Sequence, residues 1–261
     1  MTCKGREIVK RTVPPAIQAF RQRLYAEYKR MIPLPEPYQY IYGNPVQPVV
    51  PLDTAQGGVC IIGAYPSARF AVIGSERDVP IGDNCGPFSA ECYFDGQRVR
   101  TVDSGHELEE SYLSPLGLRR DQCWITDLVR VFLFKQGQIE KYRRLDCPWP
   151  SRETRSQFKD FADKGLSWLQ EELSLASPKI VVTLGSEVAG ILRGITGQER
   201  CNELLSGDLQ HFSIGDMTYP VIHLAHPGIV MRPATKNNPW PNLHKVHVSA
   251  AKKVVFGILS R

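Results

Sequence analysis

The stretch GVCIIGAYPS, residues 58–67, decides the fold, because it is a short apolar run that ends in glycine and turns on a proline. Three later runs share its form: QCWITDL (122–128), KIVVTLG (179–185) and YPVIHLAH (219–226). Each has the length of a strand and stays apolar without alternating, the pattern of strands buried on both faces. Helical periodicity fills the spaces between them at about 153–175, 186–194 and 239–259, with Ser186 as the expected N-cap of the second helix. The alternation predicts an α/β fold, a three-layer sandwich around a central, mostly parallel four-stranded sheet. In such sheets the ligand crevice lies beyond the carboxyl ends of the strands. The residues to question are therefore Gly63–Arg69, Asp127–Arg130, Gly185–Glu187 and His226–Arg232.

Outward from that core, residues 14–31 keep Ile17, Phe20, Leu24 and Tyr28 at helical spacing behind a proline start and predict an amphipathic helix. Residues 32–58, rich in proline and glycine, predict an extended connector across the surface. The expected division is a basic helical and proline-rich extension over 1–50 and an α/β domain over 51–261. The chain has 261 residues and a net charge of +5. Residues 1–50 hold eight Lys/Arg against three Asp/Glu and account for all of that excess, while residues 119–159 hold ten against five. Both regions would suit phosphate, although such runs are as often plain solvated faces. The seven cysteines include no CxxC pair, which points to reduced thiols and to neither a metal nor a cofactor. GxGxxG is absent, and Pro66 breaks the row of backbone N–H groups that would cradle a pyrophosphate, so a dinucleotide enzyme is disfavoured. With no apolar run of about 18 residues and no apolar segment behind the N-terminal charges, the expectation is a cytoplasmic or nuclear protein with no membrane partner.

A strand followed by a GxxP turn early in the chain, and a strand followed by His226-Pro227-Gly228 late, resemble the two signature motifs of the uracil-DNA glycosylase superfamily. WITDLVRVFLF (124–134), CPWPSRETRSQFKDFADKGLSWLQEEL (147–173) and SPKIVVTLGSEVAGILRG (177–194) follow in the order of the family's thermophile-type branches. The cysteines of the iron–sulfur members are absent. The resemblance spans about residues 55–235. It implies a monofunctional DNA glycosylase of base excision repair that flips a damaged or modified base, needs no cofactor and acts on DNA as a monomer. A catalytically silent DNA-binding module of the same fold is the alternative.

The resemblance also implies roles for single residues. His226 matches the histidine that donates toward the base oxygen, and Phe88 the aromatic ring that stacks on the base; a structural histidine and a core phenylalanine are the plain alternatives. Gly63, Ala64, Tyr65 and Pro66 form the first motif, where Ala64 and Tyr65 replace the usual water-activating Asp, Asn or Glu. Glu91, three residues after the aromatic, is then the leading catalytic carboxylate, with Asp83 and Asn84 behind it. Asp127 stands where many members read uracil with asparagine. Ionised aspartate only accepts hydrogen bonds and would repel uracil O4, whereas a protonated one could donate to a ring nitrogen and accept from an exocyclic amine, the edge of cytosine or adenine, so the preferred base is expected not to be simple uracil. Gly228, Met231 and Arg232 match the loop that wedges into the duplex, and Ser67, Arg69 and Ser186 are expected backbone contacts.

Overall fold

In residues 59–63, side chains at alternate positions leave the strand on opposite sides, and both sides are covered. Val59 and Ile61 enter one hydrophobic core, Cys60 and Ile62 the other. The computed structural model describes residues 13–261; Cys3 and the basic residues around it lie outside the described residues. The strands are β1 (Val59–Gly63), β2 (Ala68–Ile73), β3 (Glu76–Asp83), β4 (Cys92–Phe94), β5 (Val99–Thr101), β6 (Cys123–Asp127), β7 (Ile180–Leu184), β8 (Gln210–Ile214) and β9 (Met217–Leu224). The central sheet has the order β6-β1-β7-β9-β8, with β6, β1, β7 and β9 parallel. These are the four expected strands. A fifth, β8, adds antiparallel to β9 at the edge. It escapes a sequence reading because Phe212 is its one fully buried side chain.

One face of the sheet carries the helices Pro15–Glu27, Phe158–Ala176 and Ser186–Arg193, which supply Phe20, Leu24, Phe161, Leu169 and Val188 to the first core. The other carries the helical segment 103–116 and the helix Trp240–Leu259, which supply Leu108, Tyr112, Leu116, Val248, Ala251 and Val255. The α/β sandwich is therefore three layers deep. Two antiparallel hairpins, β2–β3 and β4–β5, stand outside it in the long excursion between β1 and β6. Among the described residues, no helix is long and apolar enough to cross a membrane.

Three local expectations need correction. The proline-rich segment does not run over the surface: Tyr38, Tyr40, Val46 and Val49 are buried in or beside the first core. Tyr38 donates to the carbonyl of Phe132 (2.6 Å) and the Val49 amide donates to Arg130 (2.7 Å), so the segment braces the loop that follows β6. Ser186 is not the N-cap. Gly185 holds that position at φ +109°, a conformation that favours glycine, and Ser186 is the first helical residue. Cys60, Cys123, Cys147 and Cys201 are buried free thiols and Cys85 an exposed one; the expectation of thiols does not extend to Cys92, which is disulfide-bonded.

Candidate active site

Parallel register brings the strand ends to one level. Gly63 pairs with Asp127 across β1 and β6, and Leu184 with Leu224 across β7 and β9, so the turns after all four strands open on the same edge. The strand order reverses between β1 and β7, the kind of switch point where open α/β sheets hold ligands. The Leu128 and Val129 amides donate to the carbonyls of Gly63 and Ala64 (both 2.9 Å), which ties the two turns together beyond the strands.

Phe88 reaches this edge from the Gly86–Ser89 turn, closed by the Ser89 amide on the Gly86 carbonyl (3.1 Å). Its φ of +51° is costly for an aromatic residue and marks a ring held in place by its surroundings. A Cβ at Gly63 would lie 2.5 Å from that ring and would also meet Asp127 Oδ1, so only glycine permits the three residues to converge. Phe88 and Asp127 bound a cavity of about 240 Å³ whose lining also includes Ala64, Tyr65, Pro66, Ser67 and His226; Gly63 lies behind them and does not line it. That volume is below the usual range for drug-sized ligands and suits a single ring system. A larger cavity of about 330 Å³ is lined by Arg155, Ser186 and Gln198 among others, but its cations Arg155 and Lys159 are already paired with Glu187 and Asp163.

Asp127 is 1% exposed, and neither carboxylate oxygen has a hydrogen-bond partner among the described residues. Burial pushes the carboxyl up to about 7, with Glu172 adding to the rise and Arg130 opposing it. A buried, unpartnered polar group is costly, and here it faces a cavity able to hold its partner. His226 caps the short helix Pro227–Val230 and is open toward the cavity, yet the protein crowded about it solvates the charged ring poorly. That effect first, then the positive charges of Lys135, Arg155 and Arg232, draw the imidazole down to about 4. It is neutral at pH 7. The Gly228 amide donates to Nδ1 (3.0 Å), so the ring proton sits on Nε2, the remaining nitrogen.

Other expected residues lie apart. Glu91 does not line the cavity: it accepts from Arg69 Nε (2.9 Å) and the Cys85 amide (3.0 Å). Arg69 is thereby occupied as well. Asp83 accepts from the Tyr40 hydroxyl (2.7 Å) and the Gln47 amide (3.0 Å), serving the link to the proline-rich segment; burial pushes it up to about 6. Asn84 is buried with its amide unpartnered and is likewise outside the lining. Ser186 Oγ accepts from Gln198 (2.9 Å). In the loop after Gly228, Ile229, Met231 and Arg232 are exposed. Six of the ten basic side chains in 119–159 are spent on carboxylates within the protein, Arg130 fully buried against Glu172 among them, so this stretch offers phosphate much less than its composition suggests.

The cavity also holds residues that the sequence reading passed over: Asp103, Ser104, Glu107, Lys135 and Gln138. Leu108, Tyr112 and Leu116 recur at helical spacing and would have located the helix that carries the first three. The family model described as Uracil DNA glycosylase superfamily matches residues 52–245. No curated protein matches the chain.

Proposed function

The chain belongs to the uracil DNA glycosylase superfamily, and from that premise we propose that it is a monofunctional DNA glycosylase that hydrolyses the N-glycosidic bond of a base flipped into the strand-end cavity. The observation that carries this reading is the convergence of Phe88, Asp127 and His226 on a space sized for one ring system. A flipped base needs a stacking surface and a hydrogen-bonding edge reader, for which Phe88 and Asp127 are placed. Bond cleavage leaves negative charge on the departing base, and a neutral histidine with its proton on Nε2 donates to that charge without having first to lose a proton. Tyr65, in place of the usual polar residue of the first motif, lies under the Arg155 guanidinium (5.1 Å) and forms wall rather than chemistry.

Asp127 sets the base preference. Protonated, it offers one donor and one acceptor and can pair with the N3–H and O4 edge of uracil or, with the proton on its other oxygen, with a ring nitrogen beside an exocyclic amine. Ionised, it repels O4 and still accepts from an amine. Uracil is thus accepted while Asp127 holds its proton and disfavoured as pH rises through about 7. The test is abasic-site formation, at pH 6 and pH 8.5, on duplexes containing uracil, xanthine, hypoxanthine or modified pyrimidines, with Asp127→Asn alongside. Equal uracil excision by both proteins at both pH values would refute this selectivity.

The tethering of Glu91 and Asp83 away from the cavity favours one second reading, a DNA-binding module without chemistry. DNA binding with no abasic product from any duplex of the panel would establish it over the first.

A further inference from the structure

Hydrolysis of an N-glycosidic bond also calls for an anion beside the sugar. The two carboxylates expected to serve are engaged elsewhere, while the helical segment beginning at Asp103 brings two others to the cavity wall. We propose that Glu107 is the catalytic carboxylate of this site, facing the sugar from the helix that packs between Phe88 and His226, with Asp103 as its charged neighbour one turn before. The inference rests on the glycosylase reading and deepens it.

The helix is fixed to both partners of the reaction. A Cβ at Gly105 would lie 2.5–2.6 Å from backbone atoms of Phe88, Ser89 and Ala90, so the helix sits directly on the loop that presents the stacking ring. The Val102 amide donates to the Glu91 carbonyl (2.9 Å) just before the first turn. Further along, the Tyr112 hydroxyl donates to the carbonyl of Ala225 (2.5 Å), the residue preceding His226. Between these anchors, neighbouring carboxylates are occupied: Glu109 by Arg120 and Glu110 by His106. Among the described residues, no ion pair involves Glu107. It is half-buried, and burial followed by the charge of Asp103 raises its carboxyl above the ordinary glutamate range, which suits it to accept a proton. Asp103 is exposed and begins the helix.

In the step so catalysed, the C1′–N bond breaks with its bonding pair leaving on the base nitrogen, and a water oxygen then bonds to the cationic C1′. The proton of the attacking water passes to the Glu107 carboxylate and then to solvent. His226 Nε2–H holds the base oxygen, and the departed base takes its proton from solvent. Before attack, the sugar carries positive charge, and the two carboxylates stabilise it.

The test needs no knowledge of the base. Duplexes carrying either a cationic pyrrolidine abasic nucleotide or its neutral tetrahydrofuran counterpart are titrated against the full chain. Wild type should bind the cationic duplex at least ~10-fold more tightly. Glu107→Gln should lose that preference, Glu107→Asp should keep part of it, and Glu91→Gln should keep all of it. On any base that the wild type excises, Glu107→Gln should cut the single-turnover rate by about 10²–10⁴ and Glu91→Gln by no more than a few-fold. A wild type that binds both duplexes alike, or a preference that survives in Glu107→Gln, overturns the assignment and leaves the glycosylase reading standing. Binding to neither duplex overturns both.

Discussion

Asp127→Asn should convert a protein that loses stability as pH rises into one that loses less. The native carboxyl titrates near about 7, against 3.8 for the free side chain. Below pH 3.8 both folded and unfolded chains hold the proton, and the buried group costs nothing extra. As pH climbs, the unfolded chain ionises first, so stability falls until the native carboxyl ionises too, above about 7. Roughly three pH units at ~1.4 kcal/mol each give a penalty of about 4 kcal/mol at pH 8. Asparagine has nearly the same shape and no charge, so the substitution removes this penalty while keeping the packing against Gly63 and Phe88. The assay is urea unfolding of both proteins at pH 4, 6 and 8, read as midpoints at constant slope. The difference in stability, mutant minus wild type, should rise by about 4 kcal/mol across that range, a large share of a typical domain's total. Curves that stay parallel from pH 4 to pH 8 would refute the claim that burial holds Asp127 protonated.

Three further outcomes follow from the same geometry. Gly63→Ala forces a Cβ into the Phe88 ring and the Asp127 carboxylate; thermal melting should show a loss of about 1–3 kcal/mol, and base excision should fail even where the fold persists. His226→Ala should lower the single-turnover rate by about 10²–10³ while leaving DNA affinity, measured by anisotropy, within a few-fold of wild type. Glu172→Gln strands Arg130, which is 0% exposed and shares Glu172 with Trp124 and Thr126; the expected cost is about 3–5 kcal/mol in chemical denaturation.

Much of the fold was legible because its parallel strands are buried on both faces. An apolar run such as KIVVTLG has few other places to go, and register then brings Gly63 beside Asp127 and the HPG turn to the same edge. The hairpins β2–β3 and β4–β5 and the edge strand β8 were not legible. Their side chains are half solvated, as in ERDVPIGD, and neither period dominates. The turn motifs also point to His226, Phe88 and Asp127, which line one cavity. For the carboxylate, the resemblance points to Glu91 by its place three residues after Phe88, a spacing that does not say where the side chain lies. In three dimensions an arginine and a backbone amide claim Glu91, while Asp103 and Glu107 arrive on a helix whose entry depends on Gly105 fitting against the Phe88 loop.

The account stands or falls on where an abasic nucleotide sits. A crystal of the wild-type chain with a duplex containing one tetrahydrofuran residue should show that sugar rotated out of the helix, lodged between His226 and Glu107, with the ring of Phe88 facing the space its base would fill. A sugar that stays within the duplex, or DNA bound to a different surface of the molecule, would contradict it.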